Sequence, residues 1–255
     1  AARNAVPDIE MMDRLSAAAP LGMSLYRPLG AAPNALRFKL FRLGGPITLS
    51  ESLPMLERMG MKVLDERPYR IAPEGRAPIW MHDLGLLSAT ADAEVDALHG
   101  LFEDAFGYVF RGEIDSDDFN RLVVVARLPA TEVTILRAYG RYLRQIGFAL
   151  SQTFIEGTLA AHAGIAAELV ALFKYRFDPD VVMDEAESVR RVSAIERALE
   201  EVDNLSEDRV LRQYLALILA TTRTNFWRRD AAGGPRSFLS FKFDPSKVPG
   251  LPEPK

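Results

Sequence analysis

The placement of proline limits this chain more than any other feature. Of sixteen prolines, nine fall in residues 1–78 and five in 235–255, leaving only Pro129 and Pro179 across the 156 residues between. Proline lacks a backbone N–H and its ring collides with the preceding helical turn. Long helices therefore belong in the middle of the chain, and strands, turns and shorter helices toward its ends. A length of 255 residues suits one large domain or two modest ones. The net charge of −4 gives no ground to expect nucleic acid or an anionic membrane as partner. Along the chain the charge changes sign in blocks, strongly acidic over 91–120 and 151–205 and basic over 121–150 and 206–255, the pattern of solvated faces or subunit contacts. Cysteine is absent, which excludes disulfides, thiol nucleophiles and cysteine-ligated metal centres. The longest uncharged apolar run, Tyr214 to Ala220, is too short to cross a bilayer, and no secretory signal is visible. The reading is a soluble, cytoplasmic segment with no membrane partner.

The fold class expected is α+β, predominantly α. Residues 1–34 read as an N-terminal leader. Residues 35–88 read as a small α/β unit: from Ala35 to Leu43, apolar Leu36, Phe38, Leu40 and Leu43 alternate mostly with basic side chains, as in a half-buried strand. Gly44-Gly45-Pro46 breaks it, and Thr48 with Glu51 three residues on forms a capping-box pattern opening a helix that stops at Gly60. Pro54 is awkward in that helix, tolerable only if the helix begins near Ser50. Met61 to Asp65 and Ala77 to Leu84 read as further strands, with Pro68 and Pro73 confining what lies between to an edge or a loop. Residues 89–234 form the helical domain. Its first helix is marked by Val95, Leu98, Phe102, Ala105 and Val109, and others are expected over 116–128, 131–147, 151–161, 165–177, 184–205 and 206–227. Residues 235–255 carry a strand, where Leu239, Phe241 and Phe243 alternate with Ser240 and Lys242, and a linker from Pro249 to Pro254.

Little in the chain is arranged for catalysis. His82, His99 and His162 lie far apart and form no His-x-x-x-His pair, so no metal site is expected. The Gly-x-Ser-x-Gly elbow, the Walker loop and the Gly-x-Gly-x-x-Gly fingerprint are all missing, which leaves no catalytic residue to nominate and no cofactor for this segment. Two features stand above background. Gly44, Gly45, Thr48 and Ser50 join a strand to a helix start, where unpaired N–H groups and the helix dipole favour a carboxylate; an ordinary glycine turn with an N-cap is the bland alternative. Arg137, Arg141 and Arg144 recur at helical spacing and could grip phosphates or carboxylates. Internal salt bridges or a subunit contact account for them better in an acidic chain.

The strings around these residues resemble the large bacterial NAD-specific glutamate dehydrogenases. Arg37-Phe38-Lys39-Leu40-Phe41 running into Gly44-Gly45-Pro46-Ile47-Thr48, Ile79-Trp80-Met81-His82-Asp83, Leu136-Arg137-Ala138-Tyr139, Arg223-Thr224-Asn225-Phe226 and Ser240-Phe241-Lys242-Phe243-Asp244 carry the likeness, in the same order. The resemblance implies a segment upstream of a catalytic domain whose active-site lysine and NAD-binding fold lie beyond Lys255. The parent would oxidise L-glutamate with NAD to 2-oxoglutarate and ammonium, as a homo-oligomer. The strand–helix–strand–strand order also resembles an ACT module, a βαββαβ fold that in other enzymes binds amino acids near its first loop. No fourth strand is legible after the helix at 91–111. The main reading is thus a regulatory and scaffolding segment partnered by its own catalytic domain; the alternative is a self-contained module binding an amino-acid effector at Gly44 to Ser50.

Overall fold

A computed structural model describes residues 2–91, 94–231, 233–234, 236 and 238–251. The chain divides into two compact units, Ala1–Val124 and Val125–Lys255.

The first unit is built on a four-stranded antiparallel sheet in the order β1-β2-β4-β3, from β1 (Leu21–Tyr26), β2 (Ala35–Leu43), β3 (Met61–Ile71) and β4 (Ile79–Ser88). Between β2 and β3 runs α2 (Leu49–Arg58), and after β4 comes α3 (Val95–Phe110). The alternation in β2 separates two faces. Leu36, Phe38 and Leu40 are buried on one of them, where Phe102 and Phe106 of α3 meet Phe38 edge-on at 5.2 Å each. Arg37 and Lys39 point the other way, toward the face where α1 (Ala2–Arg14) lies. There Lys39 pairs with Asp8 at 2.6 Å, and Leu15 packs with Phe41 and Ile79.

The leader expected over 1–34 is therefore structured. β1 pairs along β2 and gives the sheet its fourth strand from ahead of the unit rather than from after α3. Its pattern was faint because Gly22 and Ser24 interrupt six residues bounded by Pro20 and Pro28. A Cβ on Gly22 would come within 2.7 Å of the Met11 sulfur, so the bare backbone lets α1 lie close. Pro68 falls within β3, which is admissible because β3 is an edge strand. Pro54 sits inside α2, which starts at Leu49; the Ser50 carbonyl that loses its partner belongs to an exposed turn open to water.

The second unit contains α5 (Ala130–Gln145), α6 (Gln152–Ala161), α7 (Ala163–Phe177), α8 (Glu185–Leu199) and α9 (Leu205–Ala220), followed by a two-stranded ribbon of β5 (Thr221–Thr224) and β6 (Phe241–Phe243). The helix expected over 116–128 is instead a 3-10 turn, Asp118–Arg121, and one α-turn, α4 (Leu122–Val125). Three consecutive valines are stiff at χ1 and weak helix formers, Arg127 takes a positive φ of 55°, and Pro129 restricts the residue before it. The helix expected to run from Ser206 to Trp227 ends at Ala220, where Thr221, Thr222 and Thr224 favour an extended chain. The expected strand near the end is β6. The linker from Pro249 reaches residues 252–255, outside the described residues.

The core of this unit is aromatic. Tyr139 stacks on Phe241 with ring centres 4.4 Å apart, Tyr142 on Phe243 at 4.3 Å and Phe173 on Trp227 at 5.7 Å. The Tyr139 hydroxyl bonds the Thr221 hydroxyl at 2.8 Å, and Tyr214 donates to the Leu136 carbonyl at 3.1 Å. Both polar tips are thus satisfied while the rings exclude water. Burial pushes the Tyr139 phenol well above its ordinary range.

Candidate functional site

The loop from β2 to α2 brings Gly44, Gly45, Thr48 and Ser50 together. Gly44 takes a φ of +95° and its N–H donates to the Pro78 carbonyl at 2.8 Å, so this glycine is required by the turn. A Cβ on Gly44 or Gly45 would meet nothing within 4 Å, and the loop is largely exposed. At the start of α2 the Glu51 carboxylate turns back onto the N-cap residue Thr48. Glu51 Oε2 accepts from the Thr48 N–H at 3.0 Å and from the Thr48 hydroxyl at 2.8 Å, and that hydroxyl lies 3.1 Å from the Ser50 hydroxyl. The backbone and side-chain bonds from Thr48 hold the Glu51 carboxyl below its usual range.

Beneath the loop lies a pair of residues for which sequence reasoning had no signal. The Ile47 N–H donates to Nε2 of His82 at 3.1 Å, and Nδ1 of His82 lies 2.6 Å from Oε1 of Glu66. Since an N–H can only donate, Nε2 is the unprotonated nitrogen and Nδ1 carries the hydrogen toward Glu66. His82 is 5% exposed and Ile47 is buried, so the imidazole anchors the loop from inside.

On the opposite sheet face, Nε of Arg37 donates to Asp83 at 2.8 Å and its Nη1 to Asp65 at 2.9 Å. Gly85 makes room for this pair, because a Cβ there would approach Asp65 Oδ2 to 2.5 Å. A β-bulge between Val63 and Asp65 turns Asp65 toward Gly85 and leaves Glu66 opposite Leu84, on the face that holds His82.

The three arginines sit at different depths. Arg137 is buried at 3% exposure, whereas Arg141 and Arg144 are exposed. Arg144 donates to Gln152 at 2.9 Å, and Gln152 in turn donates to Glu156 at 2.8 Å, linking α5 to α6. The histidines also stay separate: His162, between α6 and α7, bonds Glu207 at 2.8 Å. Among the described residues no group of three or more His, Asp and Glu gathers where a metal could be held, and no single helix is long and apolar enough to cross a membrane.

Three family descriptions match in succession: "Glutamate dehydrogenase, ACT3 domain" over residues 20–98, "Glutamate dehydrogenase, helical motif 3" over 114–179, and "Bacterial NAD-glutamate dehydrogenase, catalytic domain" over 194–255. The NAD-specific glutamate dehydrogenase of Halomonas elongata is 43% identical across 99% of this chain. The chain belongs to the NAD-specific glutamate dehydrogenase family. Enzymes of the same name from Pseudomonas aeruginosa and Mycobacterium tuberculosis are 42% and 33% identical across 98% and 84% of it. The chain spans 14–16% of the length of these glutamate dehydrogenases. The ACT3 match begins at the edge of β1, in agreement with β1 as part of the sheet. The catalytic-domain match takes in part of α8, all of α9 and the ribbon, which sequence reading assigned to the helical domain and the closing strand. The glutamate dehydrogenase strings quoted from 136–139, 223–226 and 240–244 converge in the aromatic core through Tyr139, Phe226, Phe241 and Phe243, and Tyr142 stacks there on Phe243.

Proposed function

We propose that this chain serves regulation and scaffolding within an NAD-dependent glutamate dehydrogenase and does not turn over substrate alone. The parent reaction is the oxidation of L-glutamate with NAD and water to 2-oxoglutarate, ammonium and NADH, in a cytoplasmic homo-oligomer. The observation that carries the reading is where the shared strings go: they build a packed aromatic core in which the Tyr139 phenol is bonded inward to Thr221, and a sheet whose Arg37 pairs with Asp83 and whose Lys39 pairs with Asp8 of α1. Those residues hold structure and present no nucleophile or nicotinamide loop to a substrate. NAD is bound by the remainder of the parent, and the partner of this segment is the part of the catalytic domain outside residues 1–255. The test is direct: the full-length polypeptide reduces NAD with glutamate, and purified residues 1–255 do not. Turnover by the segment that survives removal of trace contaminants refutes the division of labour.

The second reading, an amino-acid effector at Gly44, Gly45, Thr48 and Ser50, is supported by the open space around the glycines. Because the Glu51 carboxylate stands beside Thr48, the ammonium end of an effector is the group that complements it there. Calorimetry with a panel of amino acids decides it: binding must appear, and must fall with Thr48→Val in a folded protein.

A further inference from the structure

The peptide that joins Pro46 to Ile47 is held at both ends by side chains of the sheet. Its carbonyl accepts from Nη1 of Arg42 of β2 at 3.1 Å, and its N–H donates to Nε2 of His82 of β4 at 3.1 Å. Ile47 is 3% exposed and His82 5%, so the second of these bonds is closed to water. The ends of the loop have ties of their own. The Gly44 N–H is bonded to the Pro78 carbonyl, and the Thr48 N–H to Glu51.

The bond from Ile47 exists in only one protonation state of the imidazole. A backbone N–H donates only, so Nε2 must be bare to receive it. A proton added at Nε2 sets two donors against each other in a buried site, and neither has water to turn to. The charge is also misplaced with respect to the peptide dipole: the Arg42 cation sits at the carbonyl end, where it is favourable, whereas an imidazolium would sit at the N–H end. Histidine is the side chain that ordinarily changes charge between about pH 5 and 8.

The neighbours of His82 show which contact gives way. Glu66 of β3, 2.6 Å from Nδ1, accepts from that nitrogen whether the ring is neutral or charged, so protonation leaves this pair intact. On the same sheet face, Arg70 of β3 lies two residues beyond Pro68, the cross-strand partner of His82, and Arg42 lies two beyond Leu40, its partner on β2. From the helices, α2 buries Ser52 and Leu56 and α3 buries Phe102 and Phe106, which do not titrate in this range. The charged groups of those helices are engaged elsewhere: Glu51 bonds Thr48, and Glu103 accepts from the Leu25 N–H. The bond to Ile47 is the one that a proton breaks.

We propose that His82 is a proton-operated latch for the loop from Gly44 to Ser50: neutral, it holds the Pro46–Ile47 peptide down, and protonated at Nε2 it releases it. The closed loop excludes one proton that the open loop accepts, so acid favours opening by up to about tenfold per pH unit. Gly44 and Thr48 keep their own bonds, so the movement is confined to the stretch between them. The latch requires neither an effector nor the parent's activity, and it goes beyond both readings above.

The test is hydrogen exchange of the full-length polypeptide between about pH 8 and pH 5, the range in which histidines titrate. Rates for the peptide containing Ile47 are divided by the intrinsic rate at each pH, and mass spectrometry follows peptides of β2 and β4 alongside. Protection at Ile47 is expected to fall about tenfold or more toward the acid end while β2 and β4 keep theirs. In His82→Gln the side-chain amide oxygen accepts in place of Nε2 and does not titrate, so protection stays level across the range. Glu66→Gln keeps the acceptor for Nδ1 but removes the countercharge of the imidazolium, so the fall moves to lower pH. Level protection at Ile47 in the unaltered protein overturns the latch. So does a fall that β2 and β4 share, one that survives in His82→Gln, or one that Glu66→Gln leaves in place.

Discussion

Replacing His82 with leucine separates an anchoring imidazole from a mere space-filler beneath the loop of Gly44 to Ser50. Leucine is close to histidine in volume and opens no large cavity, so the change acts through hydrogen bonds. It deprives the buried Ile47 N–H of its acceptor at 3.1 Å and Glu66 of its partner at 2.6 Å. A buried donor left unpaired costs about 1–3 kcal/mol. Glu66 loses less, because its side chain keeps 17% exposure and turns to water. Leucine recovers part of the loss by burying methyl groups, so the net destabilisation of the first unit is about 2 kcal/mol. That is a sizeable fraction of the 5–15 kcal/mol typical of a domain. Since about 1.4 kcal/mol is a factor of ten, the Ile47 amide should exchange with deuterium about thirtyfold faster. Hydrogen exchange resolved to the peptide containing Ile47, alongside urea unfolding, measures both. Glu66→Gln provides the control, since an amide oxygen still accepts from Nδ1 and the Ile47 contact is untouched. Unchanged Ile47 exchange and an unchanged midpoint in His82→Leu would show that the loop holds itself and that the imidazole only fills space.

Gly85→Ala should cost about 1 kcal/mol, since the new Cβ pushes Asp65 off Arg37 while Asp83 keeps its bond; urea midpoints of this variant, Asp65→Asn and the double variant measure it, and equal losses in all three are the expected result. Glu103 of α3 accepts the Leu25 N–H at 2.7 Å, and burial raises its pKa. A raised carboxyl pKa means that the folded state holds its proton longer than the unfolded state, so this group's contribution is greatest below its unfolded pKa and declines as pH rises through the folded one. Glu103→Gln, which keeps the acceptor, should therefore gain on the parent chain from pH 4 to pH 7, and a constant difference in unfolding midpoint over that range would contradict the assignment.

Much of the fold was legible because periodicity carries it. Leu36, Phe38 and Leu40 mark the buried face of β2, and Leu98, Phe102, Ala105 and Val109 mark that of α3, by spacing alone. β1 escaped because a short edge strand with Gly22 and Ser24 has little pattern to offer, and its place in the sheet depends on pairing with β2 across a loop. The end of α9 escaped for another reason: Tyr214 to Ala220 continues a helical pattern, and what stops it is a set of threonines recruited by β6 some twenty residues later. Of the candidate site, the loop residues were visible as glycines and a capping box. The capping box already places Glu51 on the Thr48 N–H, but nothing in the sequence could say that His82 takes the Ile47 N–H.

One register irregularity decides how both faces of the sheet are wired. If β3 paired with β4 without a bulge at Leu64, Asp65 would stand opposite Leu84 among the helix-facing apolar residues, and Glu66 opposite Asp83, where two carboxylates would repel. The extra residue shifts the pairing by one. Asp65 then faces Gly85 and reaches Arg37, while Glu66 crosses to the helix side and reaches His82, which reaches Ile47. The run from Asp65 to Pro68 is polar or proline and largely exposed, so it has no apolar alternation in which the change of phase could be read. The consequence is physical continuity from the edge strand to the glycine loop: Leu64 bulges outward, at 55% exposure, and the carboxylate two residues on holds the imidazole that holds the loop. Glu66, His82 and Ile47 thus form one chain of hydrogen bonds between the edge strand and the loop, although 16 residues separate Glu66 from His82.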